Sequence, residues 1–500
     1  MGKHAPVLEK PTLDKELDKL MLAEQAVYHV RRSSTWIGFA AVFLLISALF
    51  AYSYTAGQPG TGIIIAAAAM AAYMAMNIGA NDVTNNVGAA VGAKAISMRT
   101  ALMIAAVFEI AGAVFAGGRI TSTIESGIVH MNDMPSRDTF IWVMMAALTS
   151  AAICVNIATW SSAAISTTHS VVGGILGAGI AAAGFGTVNW VSLASITASW
   201  VVTPFLGGGI AALLLAFMKI KVFYREDRMA AAGFWIPIVI ALMIGTFTVY
   251  FALICMDRVA RVPASYGLAA GLTTGLATYL LFAGRIRQEA MTLDDNKQAL
   301  RRLFRVPLIL SAALLSFAHG ANDVSNAIGP LSAIVSASAG FLPEPYTVVP
   351  LWVTLIGALG ISLGLSLYGP KLIYVVGVGI TKLNPMRAFC VALATALTVL
   401  LAVAIRIPVS TTHTAVGAVF GIGFFREWFT RNSQLRVEFV RRKTGQSEFR
   451  QRDEPGPDET QRRRLVRRSH FMTMAAAWVV TVPASGLLAA LLYLVFRAVF

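Results

Sequence analysis

Apolar and polar positions along this chain fall into long blocks, and the blocks have membrane length. Largely uncharged apolar stretches near the about 20 residues needed to cross a bilayer run over 36–54, 61–79, 100–118, 140–160, an apolar run after Ser166, and 190–217. A basic loop at 219–228 follows. Residues 234–256 and 266–283 read as a hairpin of two spanning helices, and 285–305 is a second basic loop. The apolar pattern resumes through 306–320, 324–339, 347–368, 388–405, a run after Ser410, and 471–499. Two segments interrupt it: residues 1–35, which are polar, partly amphipathic and unlike a signal peptide, and the polar insertion 426–470. The pattern predicts an all-α polytopic membrane protein with broken helices or re-entrant hairpins and about 11–13 membrane segments.

The chain also repeats itself. GANDVTNNVG at 79–88 returns as GANDVSNAIG at 320–329, and ISTTHSVVG at 165–173 returns as VSTTHTAVG at 409–417. The offsets are nearly equal, 241 residues from Asn81 to Asn322 and 244 from Ser166 to Ser410. WVVTPFLGGGIAALL from Trp200 returns loosely as WVVTVPASGLLAALL from Trp478, where the wider offset absorbs the polar insertion. Three blocks recurring in one order mark a duplication. The expected organisation is a polar segment 1–35, an additional helix 36–54, a first repeat 61–217, a connecting hairpin 218–305 and a second repeat 306–499.

Composition agrees: 57% of residues are hydrophobic and only 13% charged, against about 25% charged in soluble domains. A water-soluble enzyme, a disordered chain and a disulfide scaffold are all excluded. The net charge is +15, but Lys and Arg crowd the loops beside apolar segments. The positive-inside bias accounts for that placement without a nucleic-acid partner. Cys154, Cys255 and Cys390 show no metal-type spacing and read as buried thiols. The same bias puts the N-terminal segment and the three basic stretches in the cytoplasm. The helix at 36–54 then delivers the first repeat to the outside, whereas the second starts inside, after Arg305, and the C-terminus ends outside. Two similar halves inserted oppositely make an inverted-topology repeat, an arrangement of many secondary transporters.

The duplicated motifs carry the chemistry. Asn81, Asp82, Asn322 and Asp323 lie in apolar sequence, where a carboxylate costs about 2.5–3.5 kcal/mol on insertion scales. Their oxygens suit a hard cation such as Na⁺. Glycines at 79, 88, 320 and 329 are expected to break the helices there and free backbone carbonyls. Thr84, Asn85, Ser325 and Asn326 extend the oxygen-rich patch. Ser166, Thr167 and Thr168, like Ser410, Thr411 and Thr412, each open an apolar run, so hydroxyls and free N–H groups at two helix starts form a site for an oxyanion. His169 and His413 read as packing residues. His319 faces Ile78 in the other copy and is set aside as unpaired in the duplication. Glu109 is a further intramembrane acid and a candidate coupling carboxylate. Matching Gly112-Ala113 to Gly357-Ala358 places Thr354 opposite it.

Together these features describe a carrier of a small tetrahedral oxyanion driven by a cation gradient. Anion entry into a negative cell is opposed by about 2.3 kcal/mol per charge per 100 mV, which co-moving cations must offset. On GANDVTNNVG, FAHGANDVSNAIGP, ISTTHSVVG and PVSTTHTAVG the chain closely resembles the inorganic phosphate transporter family across 62–217 and 306–497. The resemblance implies phosphate as substrate, Na⁺ or H⁺ as coupling ion, no cofactor, and a homodimer of elevator-like carriers in the cell membrane. It assigns the phosphate and cation sites to Asn81, Asp82, Ser166, Thr167, Thr168, Asn322, Asp323, Ser410, Thr411 and Thr412. Sulfate is the rival substrate, although phosphate keeps a proton near neutral pH and can donate to a carboxylate, which sulfate cannot. A membrane enzyme acting on phosphorylated lipid is disfavoured because Asn85 and Asn86 stand where a second metal-binding acid would be needed. GAAVGAKAIS at 88–97 lacks P-loop spacing, which disfavours an ATP-driven pump.

Overall fold

The computed structural model describes residues 35–161, 165–258, 260–340, 349–379, 384–444 and 468–500. The expectations for 1–34 and for 445–467 of the polar insertion therefore lie outside the described residues. Among these residues the secondary structure is helical, apart from one isolated antiparallel bridge between Val129 and Val188. The helices are α1 (Thr35–Thr55), α2 (Thr61–Asn86), α3 (Gly88–Gly92), α4 (Met98–Ala116), α5 (Gly118–Ser126), α6 (Arg137–Trp160), α7 (Thr167–Ala183) and α8 (Trp190–Met218). They continue with α9 (Arg228–Tyr250), α10 (Ala264–Thr292), α11 (Lys297–Leu303), α12 (Arg305–Asp323), α13 (Ser325–Ser338), α14 (Leu351–Gly379), α15 (Pro385–Ala404), α16 (Thr411–Asn432), α17 (Gln434–Thr444) and α18 (Arg468–Val499). Among the described residues, 11 helical stretches are long and apolar enough to cross a membrane.

Polar side chains set many helix starts by accepting an otherwise orphaned N–H of the first turn. Ser97 opens α4, Ser136 opens α6, Asn189 opens α8 and Asp227 opens α9 in this way. Asn384 caps α15, and Pro385 follows at its first position, where no N–H is needed. Helices α2, α6, α12, α13 and α15 are mostly buried, while α1, α9 and α10 turn rows of large apolar side chains outward, including Leu49, Leu242, Leu272 and Leu280. Such surface suits lipid contact, not water.

The duplicated elements pack by exchange. Helix α2 of the first repeat lies along α14 of the second, and α12 of the second lies along α4 of the first. Likewise α7 packs on α18 and α16 on α8. Glycines mark matching contacts. A Cβ on Gly79 would lie 2.0 Å from the Ile361 carbonyl oxygen, and one on Gly364 would lie 2.0 Å from that of Met76. In the other crossing, a Cβ on Gly320 would lie 2.1 Å from the Glu109 carbonyl oxygen and one on Gly112 would lie 2.0 Å from that of Phe317.

These crossings correct two expectations. Gly79 and Gly320 do not break their helices: α2 runs on to Asn86 and α12 to Asp323. Their missing side chains instead let two backbones touch, and the interruptions fall later, at Val87 and Val324. Glu109 matches Ile361, not Thr354, because Gly112 and Gly364 occupy equivalent places in the two crossings. The acid is still unduplicated.

Candidate functional site

Both Ser-Thr-Thr stretches start helices, and the serines are the caps. Ser166 and Ser410 hold extended backbone, and their hydroxyl oxygens accept the His169 and His413 amides at 3.2 and 3.3 Å. Capping engages the serine oxygens, while threonine hydroxyls reach the two GAND acids. Thr411 donates to Asp323 Oδ2 at 2.5 Å and Thr167 to Asp323 Oδ1 at 3.1 Å. Thr412 donates to Asp82 Oδ1 at 2.7 Å. Thr167 and Thr412 thus each bond to the aspartate of the opposite repeat, which brings residues from four distant parts of the chain into one chamber.

The asparagines complete the frame. Asn85 Nδ2 donates to Asp82 Oδ1 (3.0 Å) and to Thr412 (2.9 Å). Its counterpart Asn326 donates to Asp323 Oδ1 (3.1 Å) and Thr168 (3.2 Å). Asn81 donates to the Ile165 carbonyl at 3.0 Å and Asn322 to the Val409 carbonyl at 2.7 Å. In both halves this contact fixes the residue just ahead of the capping serine. Asn322 also accepts the Val409 amide at 3.2 Å, so both ends of its side chain are engaged. All these side chains are buried except Asn85, which is half-buried. Behind the caps the His169 and His413 rings meet edge to face at 4.5 Å, and His169 lies against Trp200.

His319 stands at the centre, against the expectation that set it aside. Its Nε2 lies 3.8 Å from Asp82 Oδ2 and 3.5 Å from Asp323 Oδ2, and its Nδ1 lies 3.1 Å from Glu109 Oε1. Asn86 donates to the same Glu109 oxygen at 2.6 Å. Glu109 therefore reaches the chamber through a ring and an amide, not by direct contact with either aspartate. The missed signal was local: His319 and Asp323 are four residues apart on one helix, as are Asp82 and Asn86, so each pair shares a helix face. A second unforeseen acid, Glu125, is buried but lies apart from this group. It accepts from Ser332 at 3.2 Å and Ser336 at 3.0 Å, tying α5 to α13.

Among the described residues, no Lys or Arg makes a salt bridge with Asp82, Asp323 or Glu109; their recorded ionic neighbour is His319. An oxyanion placed against the threonines would meet two carboxylates, Asp82 and Asp323.

Comparison with known proteins bears on what passes through. Residues 78–489 match the model of the phosphate transporter family. The chain belongs to the phosphate transporter family. It is 40% identical to a "Putative phosphate permease" of Helicobacter pylori strain J99, over 96% of this chain and 98% of that one. A protein of the same description from Pyrococcus furiosus is 32% identical over 84% of this chain and 93% of its own length. A solved structure titled "The sodium-dependent phosphate transporter" superposes with a TM-score of 0.75 at 33% identity, covering 88% of this chain and all of that one. Family and helices together make this a multi-pass membrane transporter, not an enzyme.

Proposed function

We propose that the chain imports inorganic phosphate by symport with Na⁺, the anion held between the two threonine-tipped helix starts and the cations held by the GAND acids. The observation that carries this reading is the chamber itself, with two buried aspartates, threonine hydroxyls from both repeats and, among the described residues, no Lys or Arg salt-bridged to the acids. Thr167, Thr168, Thr411 and Thr412, with the first-turn amides behind Ser166 and Ser410, supply hydrogen bonds that a tetrahedral oxyanion can accept. Asp82 and Asp323 hold the cations, and Asn81 offers a further oxygen. Phosphate near neutral pH still carries a proton and can donate it in a hydrogen bond to an acid, which sulfate cannot do.

Coupling follows from electrostatics. Phosphate alone beside two buried carboxylates is repelled, and two bare carboxylates in a dry chamber are costly without cations. Anion and cation therefore stabilise each other's binding, the condition for obligatory co-transport. Opposite insertion of the two repeats, cytoplasmic N-terminus and outside C-terminus, follows from the placement of the basic loops. A second reading, H⁺ in place of Na⁺, is favoured by one observation: His319 sits among three carboxylates.

Uptake of labelled phosphate into proteoliposomes tests both readings, with Na⁺ and pH gradients imposed separately and sulfate as competitor. Accumulation driven by Na⁺ at equal pH, unaffected by sulfate, is the expected result. Accumulation driven only by the pH gradient would transfer the coupling role to protons. Equal competition by sulfate would remove phosphate selectivity.

A further inference from the structure

At the far end of α16 from Thr411 and Thr412, cations gather from four elements. Lys219, in the π-helical turn Lys219–Phe223 that ends α8, is buried, and its Nζ lies 4.2 Å from the Phe429 ring centre and 5.3 Å from that of Phe425. It feels the charges of Arg426 on α16, Arg387 on α15 and Arg436 on α17, Arg387 also feels that of Arg426, and Arg436 Nη1 donates to the Thr430 carbonyl on α16 at 2.7 Å. All three arginines are half-buried. Among the described residues none of the four cations makes a salt bridge; the carboxylate whose charge reaches the group is Glu427, next to Arg426.

Four partly desolvated like charges are unfavourable unless an anion joins them. The surroundings indicate which anion. Phe424 and Trp428 on α16 and Leu435 on α17 are exposed beside the cations, and exposed aromatic side chains next to Lys and Arg are typical of a bilayer interface. The basic loops place this end of the bundle at the cytoplasmic leaflet, where basic pockets between membrane helices bind anionic headgroups.

We propose that Lys219, Arg387, Arg426 and Arg436 form a headgroup site for an anionic phospholipid of the phosphatidylglycerol or cardiolipin class, separate from the transport chamber. The bound phosphodiester clamps the last turns of α16 to α8, α15 and α17. The same rigid helix carries the chamber threonines at its other end, so the lipid steadies the transport site from a distance.

The test is lipid retention by the full chain, with transport read separately. Purified protein in phosphatidylcholine nanodiscs is titrated with cardiolipin or phosphatidylglycerol and examined by native mass spectrometry, for wild type, Arg426→Gln/Arg436→Gln and Arg426→Lys/Arg436→Lys. Wild type and the lysine variant should retain the anionic lipid, and the glutamine variant should retain it roughly 30-fold more weakly. Equal retention by wild type and the glutamine variant at matched thermal unfolding midpoints overturns the site. If the glutamine variant does not fold, the Lys219→Gln single variant decides on the same measure. Inorganic phosphate is the second probe, titrated into the Asp323→Asn variant. Phosphate binding there that Arg426→Gln removes would assign the cluster to the free ion and overturn the lipid.

Discussion

Gly320 joins the fold and the site most directly, and replacing it with alanine has a consequence that can be worked from geometry. The added Cβ would stand 2.1 Å from the Glu109 carbonyl oxygen, whereas real Cβ atoms keep at least 3.0 Å from such neighbours. Helices α12 and α4 must therefore separate by about 0.9 Å, since a close-packed interior cannot absorb the difference. Overpacking of this kind costs about 1–3 kcal/mol. The same shift would carry the 3.1 Å contact between His319 Nδ1 and Glu109 beyond hydrogen-bond reach. Gly320→Ala should thus lower the unfolding midpoint in detergent and reduce phosphate uptake per folded molecule. Gly79→Ala makes the equivalent clash, 2.0 Å from the Ile361 oxygen, at a crossing where Ile361 stands in the place of Glu109. It should destabilise comparably while leaving the Glu109 contact in place. Gly284 on α10 has nothing within 4 Å of its added Cβ, so Gly284→Ala should be neutral or stabilising by up to about 1 kcal/mol. If Gly320→Ala matched Gly284→Ala in both midpoint and uptake, the close crossing and its link to the chamber would be refuted.

Other expected outcomes concern the chamber directly. Asp82→Asn and Asp323→Asn should each abolish gradient-driven uptake in proteoliposomes; normal accumulation by both would remove the acids from coupling. Thr411→Val deletes a hydroxyl that donates to Asp323 in this structure and on the proposed function turns its one proton to phosphate; a charge-assisted bond is worth about 1.5–3 kcal/mol, so apparent phosphate affinity should weaken roughly 10- to 100-fold. Unchanged affinity in both Thr411→Val and Thr412→Val would reduce these stretches to helix starts. Glu109→Gln removes the charge that His319 and Asn86 share and should lower uptake at a given ion gradient. Glu125→Gln, tied to Ser332 and Ser336 outside the chamber, should leave coupling unchanged, as measured by the Na⁺ dependence of uptake.

Much of this architecture could be read from the residues, for a physical reason. Apolar blocks of bilayer length report spans directly, and a polar motif that survives twice in apolar surroundings bears an insertion cost that demands a use. Asp82 and Asp323 announced themselves in that way, as did the paired Ser-Thr-Thr starts. The glycines were read less well, because sequence shows that a side chain is missing and not whether its absence serves a turn or a close approach. At Gly79 and Gly320 it serves a crossing of helices from opposite repeats. His319 escaped because duplication was the guide, and an asymmetric residue carries no duplicate. Its role follows from three-dimensional neighbours on α2 and α4, which no spacing within one motif reveals.

That asymmetry bears on how a near-symmetric chamber can favour one coupling ion. The bonds from Asn85 to Asp82 and Thr412 recur as those from Asn326 to Asp323 and Thr168, so they define two similar oxygen-lined places. Glu109 and His319 belong to one half each and have no counterparts: Ile361 occupies the position matching the acid, and Ile78 the position matching the ring. Their contact lies at the α4–α12 crossing, and because the ring's Nε2 stands between the two aspartates, 3.8 Å from Asp82 and 3.5 Å from Asp323, it is Glu109 that is added on one side of the chamber only. On the proposed symport, two cation places built from the same motif then differ in field strength and would fill with different affinity. Under that proposal the place nearer Glu109 differs from its twin through an acid that the duplication does not repeat, and binding of the two cations to the full chain should resolve into two steps, which Glu109→Gln should bring together.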